Sequence, residues 1–157
     1  MIIRYWDSTC FIAWFSKEED RVDDCQSVIQ AALDGKVQIV TSALTLAEVV
    51  QRPTDHPLPS GLEETINGFF ENEFVIVRNV DRYIGAFARH LLWSYQHLKY
   101  KDAIHVATAI QTPDLHCLDS FDDDMLKLND KLGSPVLRIC TPRMPMQIAI
   151  EGTASDG

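Results

Sequence analysis

Residues 99–110 read KYKDAIHVATAI. At 100° per residue, Ala103, Ile104, Val106, Ala107, Ala109 and Ile110 cover most of a helix's circumference, which predicts a helix buried on several sides. Asp102, His105 and Thr108 then fall at i, i+3 and i+6 as a narrow polar stripe on that helix. Two readings stand at this point. Asp102 caps the helix or sits in its first turn, where free N–H groups and the macrodipole favour an anion, with His105 a satisfied core histidine and Thr108 a back-bonded hydroxyl. Alternatively, the stripe belongs to a site, and other acids must decide between the two.

The chain upstream and downstream alternates between strand and helix signals. "IIRYW" (2–6) reads as a short buried strand, and "DST" as a polar turn that starts the helix "CFIAWFS". "RVDDCQSVIQAALDGK" (21–36) is an amphipathic helix stopped by Gly35, "VQIVT" (37–41) a strand, and "SALTLAEVVQR" a helix ended by Pro53. "PTDHPLPSG" (53–61), with three prolines and a glycine, is a surface loop. Then come the helix "LEETINGFFENE", the strand "FVIVRN", the long helix "DRYIGAFARHLLWSYQHL", the opening segment, the strand "LHCL", the short helix "DDDMLKLNDKL" and a last strand "PVLRIC". Five short apolar strands among helices argue for an α/β/α sandwich around a central, mostly parallel sheet. Residues 1–141 are expected to form one domain, and 142–157 a C-terminal tail that is partly mobile.

Composition narrows the function classes. The 157 residues hold 14 Lys+Arg against 23 Asp+Glu, a net charge of −9, which opposes broad adhesion to nucleic acid or to an anionic membrane. Any nucleic-acid contact has to be local or helped by metal ions. Cys10, Cys25, Cys117 and Cys140 form no C-x-x-C pair, so zinc and disulfide frameworks are not indicated and reduced thiols in the cytoplasm are expected. No uninterrupted apolar run is long enough to span a membrane.

In a parallel sheet, ligands gather at the carboxyl edge of the strands. Asp7 follows "IIRYW" and Asp119 follows "LHCL", so both are expected at one crevice, with Asp102 on the first turn of its helix and Glu48 the sole acid on an apolar one. Each has an ordinary alternative. Asp7, Asp119 and Asp122 to Asp124 serve as N-caps or first-turn acids. Glu48 can close a capping box with Thr45, although the apolar pattern runs back to Ala43 and favours a start at Ser42. Four carboxylates in one crevice repel unless a cation joins them, and hard oxygen donors suit Mg²⁺ or Mn²⁺. Such an ion can activate water and steady an in-line attack on phosphorus.

Taken in order, "YWDST", "TLAEV", "KDAIHVATAI" and "LHCLDSFDDDM" resemble the motifs of PIN-domain proteins, and among them the ribonuclease toxins of VapBC-type toxin-antitoxin systems. The resemblance runs from about residue 2 to 140. It implies a single PIN-like domain whose acid cluster binds Mg²⁺ or Mn²⁺, hydrolysis of RNA phosphodiesters in a tRNA or ribosomal RNA, a cognate antitoxin partner and a homodimer. Carried over motif by motif, the acids are Asp7, Glu48, Asp102 and Asp119, with Asp122 second in line for the fourth place. Ser8 and Thr9 match the small hydroxyl residues that follow the first acid. Cys117 stands where the fourth motif commonly has Thr. His105 and Thr108 are then supporting polar residues. Lys99 and Lys101, with Arg82 and Arg89 of the preceding helix, are candidates for a local phosphate-binding rim, against the alternative of a solvated helix face. Two other classes fit the residues less well. A noncatalytic PIN-fold binding or regulatory module has no need of all four acids, and an aspartyl-phosphate phosphatase would want D-x-D where the chain has Asp7, Ser8 and Thr9.

Overall fold

The computed structural model describes residues 1–50 and 59–145. The elements follow the expected order: β1 (Ile2–Trp6), α1 (Ser8–Phe15), α2 (Val22–Leu33), β2 (Val37–Ser42), α3 (Ala43–Glu48), α4 (Leu62–Phe70), β3 (Val75–Arg78), α5 (Arg82–Ser94), α6 (Tyr100–Ile110), β4 (Leu115–Asp119), α7 (Asp123–Leu126) and β5 (Ile139–Cys140). Most of the PTDHPLPSG loop and residues 146–157 of the tail lie outside the described residues.

The five strands form one parallel sheet in the order β3-β2-β1-β4-β5. Successive side chains on a strand face opposite ways, and the core divides accordingly. Tyr5, Val40 and Leu118 pack under α5, α6 and α7 with Ile84, Leu91, Val106 and Met125. Trp6, Val37 and Ile39 pack on the other face with Phe11, Cys25, Val28 and Ile66 from α1, α2 and α4. The result is the three-layer α/β/α sandwich that the alternation of elements predicts. Since β2 and β4 flank β1 and the chain turns in opposite directions from it, the switch point of the sheet lies between β1 and β4.

Several ends differ from the sequence reading. Helix α3 stops at Glu48 instead of running to Pro53, because the backbone is already extended at the β-branched Val49. Ser42 caps α3 by accepting from the Leu44 N–H, as the apolar pattern suggests, and Thr45 bonds Thr41 rather than closing a box with Glu48. Strand β4 extends one residue further than "LHCL", and Asp119 is its last member, paired with Trp6 in the register of the sheet. That single residue reverses the face on which Asp119 points.

Candidate functional site

Helix α6 answers the question posed by its polar stripe. Lys99 is the N-cap residue, without a side-chain capping bond, and Asp102 stands in the first turn. His105 is buried, and the Thr108 hydroxyl donates back to the Ile104 carbonyl at 2.7 Å. Asp102 faces a cavity of about 490 Å³ lined also by Asp7, Ser8, Thr9, Glu48, Lys99, Tyr100, Lys101, His105 and Asp122.

Each acid reaches this cavity by its own local device. Asp7 follows β1 and caps α1, its Oδ1 accepting from the Thr9 N–H at 3.0 Å and from the Thr9 hydroxyl. It is almost wholly buried, and burial raises its pKa against the opposing pull of the Ser120 and Thr9 hydroxyls. Asp122 caps α7, with Oδ1 accepting from the Asp124 N–H at 2.9 Å. Asp102 has its pKa raised to about 6, first by burial and then by the negative charges of Asp122 and Asp7. Glu48, at the end of α3, places Oε1 2.7 Å from His105 Nε2, and His105 Nδ1 lies 2.7 Å from the Tyr5 hydroxyl. A cavity that holds four carboxylates and raises the pKa of two of them is one where a bound cation would relieve both the repulsion and the desolvation.

Asp119 is placed apart from the other expected acids. It does not line this cavity, because its last-in-strand position turns it onto the sheet face carrying Arg4 and Trp6. Arg4 Nε donates to Oδ2 and Arg4 Nη2 to Oδ1, each at 2.7 Å, and Trp6 Nε1 donates to Oδ2 at 3.0 Å. The residue beside Asp7 at the edge is instead Ser120, whose backbone neighbour Asp119 accepts from the Asp7 N–H through its carbonyl. Asp122, the second in line, lines the cavity in its place.

Cys117, Asp119 and Cys140 make a candidate metal-coordinating cluster by proximity, their ligand atoms lying within 4.8 Å of one another. The Arg4 guanidinium already occupies both carboxylate oxygens there and lies 3.8 Å from Cys140 Sγ, so the charge a cation would bring is supplied by the protein. The oxygen-lined cavity is the better match to a hard divalent ion.

Among the basic residues, Lys99 and Lys101 line the cavity, whereas Arg82 and Arg89 lie outside it, over the rings of Tyr83 and Trp93 on α5. Sequence reasoning missed Tyr100, whose exposed ring stands between the two lysines in sequence, and the part taken by Tyr5. It also left Arg4 without a role. An arginine in the middle of an apolar strand was the available signal, since such a charge needs a buried acid.

The fold and site define a class: a parallel α/β/α protein with carboxylates gathered at the switch point of its sheet. The PIN domain family model matches residues 4–131, and the chain belongs to that family. No curated protein matches it in sequence. Solved structures share the fold at low identity. A toxin-antitoxin complex from Klebsiella pneumoniae is 22% identical with a TM-score of 0.57, over 78% of this chain and 89% of that one. VapC20 of Mycobacterium tuberculosis, described as a Sarcin-Ricin loop cleaving toxin, is 16% identical with a TM-score of 0.61, over 79% and 93%. VapBC2 from Rickettsia felis, bound to a DNA fragment from its promoter, is 13% identical with a TM-score of 0.62, over 88% and 97%. Among the described residues no helix is long and apolar enough to cross a membrane.

Proposed function

We propose that this protein is a divalent-metal-dependent endoribonuclease that hydrolyses RNA phosphodiester bonds, and that it is the toxin of a type II toxin-antitoxin pair. The observation that carries the reading is the gathering of Asp7, Glu48, Asp102 and Asp122 around one cavity at the carboxyl edge of the sheet. The donors are all carboxylate oxygens, and two of the acids have raised pKa values, which is the setting that a hard cation such as Mg²⁺ or Mn²⁺ fits.

Those four acids would hold the ion. When bound, it supplies Lewis-acid polarisation of a phosphoryl oxygen and activation of water. The chain's own residues do the rest. Thr9 fixes Asp7 through its N–H and hydroxyl, and the Asp124 N–H fixes Asp122, so both carboxylates keep one orientation. Lys99 and Lys101 offer two positive charges to phosphates at the cavity, and Tyr100 offers a ring face for an unstacked base. This local rim supports RNA binding by a chain of net charge −9.

The likeness in fold to VapC20 and to toxin-antitoxin complexes supports a ribosomal RNA target and a cognate antitoxin, while a transfer RNA target and a homodimer rest on the resemblance of the motifs alone. Four free thiols are in keeping with a cytoplasmic place.

The test is calorimetric titration of Mn²⁺ into the purified protein and into Asp102→Asn, followed by incubation with labelled tRNA and ribosomal RNA fragments in Mg²⁺. Metal binding and RNA cleavage by the native chain, both lost in the variant, support the reading. Absence of Mn²⁺ binding with and without RNA would overturn it in favour of a noncatalytic PIN-fold module.

A further inference from the structure

We infer that His105 and Tyr5 are positioning residues for Glu48, forming a buried relay in which one Glu48 oxygen is held by the histidine and the other is left for the cation. This rests on the metal-site reading above and adds to it a role for two residues outside the acid set.

The acids differ in what anchors them. Asp7 and Asp122 are held as helix caps by backbone N–H groups of the next turn. Glu48 has no such support. It is the last residue of α3, the chain is extended immediately after it, and its side chain has more rotatable bonds than an aspartate, with correspondingly more rotamer freedom to lose. Among the described residues its hydrogen-bond partner is His105, through Oε1 at 2.7 Å.

The geometry also fixes the donor toward Glu48. A carboxylate oxygen only accepts, so Nε2 of His105 carries a hydrogen. Nδ1, on the other side of the ring, lies 2.7 Å from the Tyr5 hydroxyl, which can either donate to it or accept from it. Tyr5 is fully buried, so its hydroxyl is held in place beside the ring. The ring of His105 is itself 1% exposed and wedged edge-on to Tyr5, which removes its freedom to turn. Helix α6 thereby supplies Asp102 directly and, one turn on, the clamp that aims Glu48 from across the cavity. The tyrosine is on β1, two residues before Asp7, so the strand that delivers the first acid also holds the ring that orients another.

A hydrogen-bonded pair that merely fills the core would affect stability and leave metal affinity alone. The two roles separate by Mn²⁺ calorimetry alongside thermal melts in EDTA. For a positioning role, His105→Leu, still folded, binds Mn²⁺ about 10- to 100-fold more weakly, the range for groups that orient metal ligands. His105→Gln, which keeps an N–H toward Glu48, recovers most of that affinity. In a double-mutant cycle, Glu48→Gln with His105→Leu binds no more weakly than Glu48→Gln alone. Unchanged affinity in His105→Leu, or losses that add in the double variant, would overturn the inference. Should His105→Leu fail to fold, Tyr5→Phe carries the test: weaker Mn²⁺ binding supports the relay and native affinity refutes it. A native protein that binds no Mn²⁺ overturns the metal-site reading itself, an outcome distinct from native binding that is indifferent to His105.

Discussion

Arg4 and Asp119 meet as a bidentate ion pair between the two central strands, both N···O distances 2.7 Å and both side chains withdrawn from solvent. Trp6 adds a third donor to the same carboxylate. Asp119 is thus committed to holding β1 and β4 together. Removing one partner leaves a buried guanidinium without its counter-charge, a change that costs about 3–5 kcal/mol. Asp119→Asn should therefore lower the urea midpoint sharply, and pairing Asp119→Leu with Arg4→Met should recover much of the loss. If Asp119→Asn unfolds normally yet loses Mn²⁺ binding, Asp119 is a metal ligand after all.

Asp102 makes a prediction of the opposite sign. Burial above all pushes its carboxyl up to about 6 in the folded protein from the ordinary 3.8 of an unfolded chain. Between those values the folded state holds a proton that the unfolded chain has released, so this group's contribution is full below about pH 4 and is lost as pH rises through 6. Asp102→Asn removes the charge. In EDTA at pH 7 the variant should melt above the native protein, by about 2–4 °C if partial exposure limits the effect to ~1 kcal/mol, and the two should converge toward pH 4. A constant difference across that range would mean that the charge of Asp102 is not the cause.

The acids together should behave differently toward substrate. Asp7→Asn, Glu48→Gln and Asp122→Asn each remove a proposed cation donor and relieve like-charge repulsion, so each should keep or raise the melting temperature in EDTA while slowing RNA cleavage. Loss of a few kcal/mol of transition-state stabilisation corresponds to a rate reduction of ~10²-fold or more. Single-turnover cleavage assays at saturating Mg²⁺ check this. Normal cleavage by Asp122→Asn would take that residue out of the site.

What the sequence could and could not reveal follows from the range over which each signal acts. The succession of short apolar strands and helices is written in local patterns, and it made the sandwich legible. Asp7 was legible too, because a polar residue closing an apolar strand and opening a helix has one place to be. Asp119 was not, since whether it ends β4 or follows it depends on pairing with Trp6, 113 positions away, and one residue decides the face. The end of α3 at Glu48, the pairing of Arg4 with Asp119 and the bonding of Tyr5 to His105 likewise depend on partners from distant elements, which no window of sequence contains.

An acidic protein that acts on RNA needs local positive charge at its site. Lys99 and Lys101 line the acid cavity, whereas Arg82 and Arg89 lie beside exposed aromatic rings on α5, away from it. Each lysine that contacts a phosphate of single-stranded RNA releases counterions and contributes about 0.7 to the slope of log affinity against log salt. Measured with Ca²⁺ in place of Mg²⁺ to suppress cleavage, Lys99→Ala with Lys101→Ala should weaken RNA binding and flatten that slope by about 1.4. Arg82→Ala with Arg89→Ala should leave the slope unchanged. The reverse result would move the RNA path off the cavity mouth and onto the outer face of α5, and would remove the case for a base stacked on Tyr100.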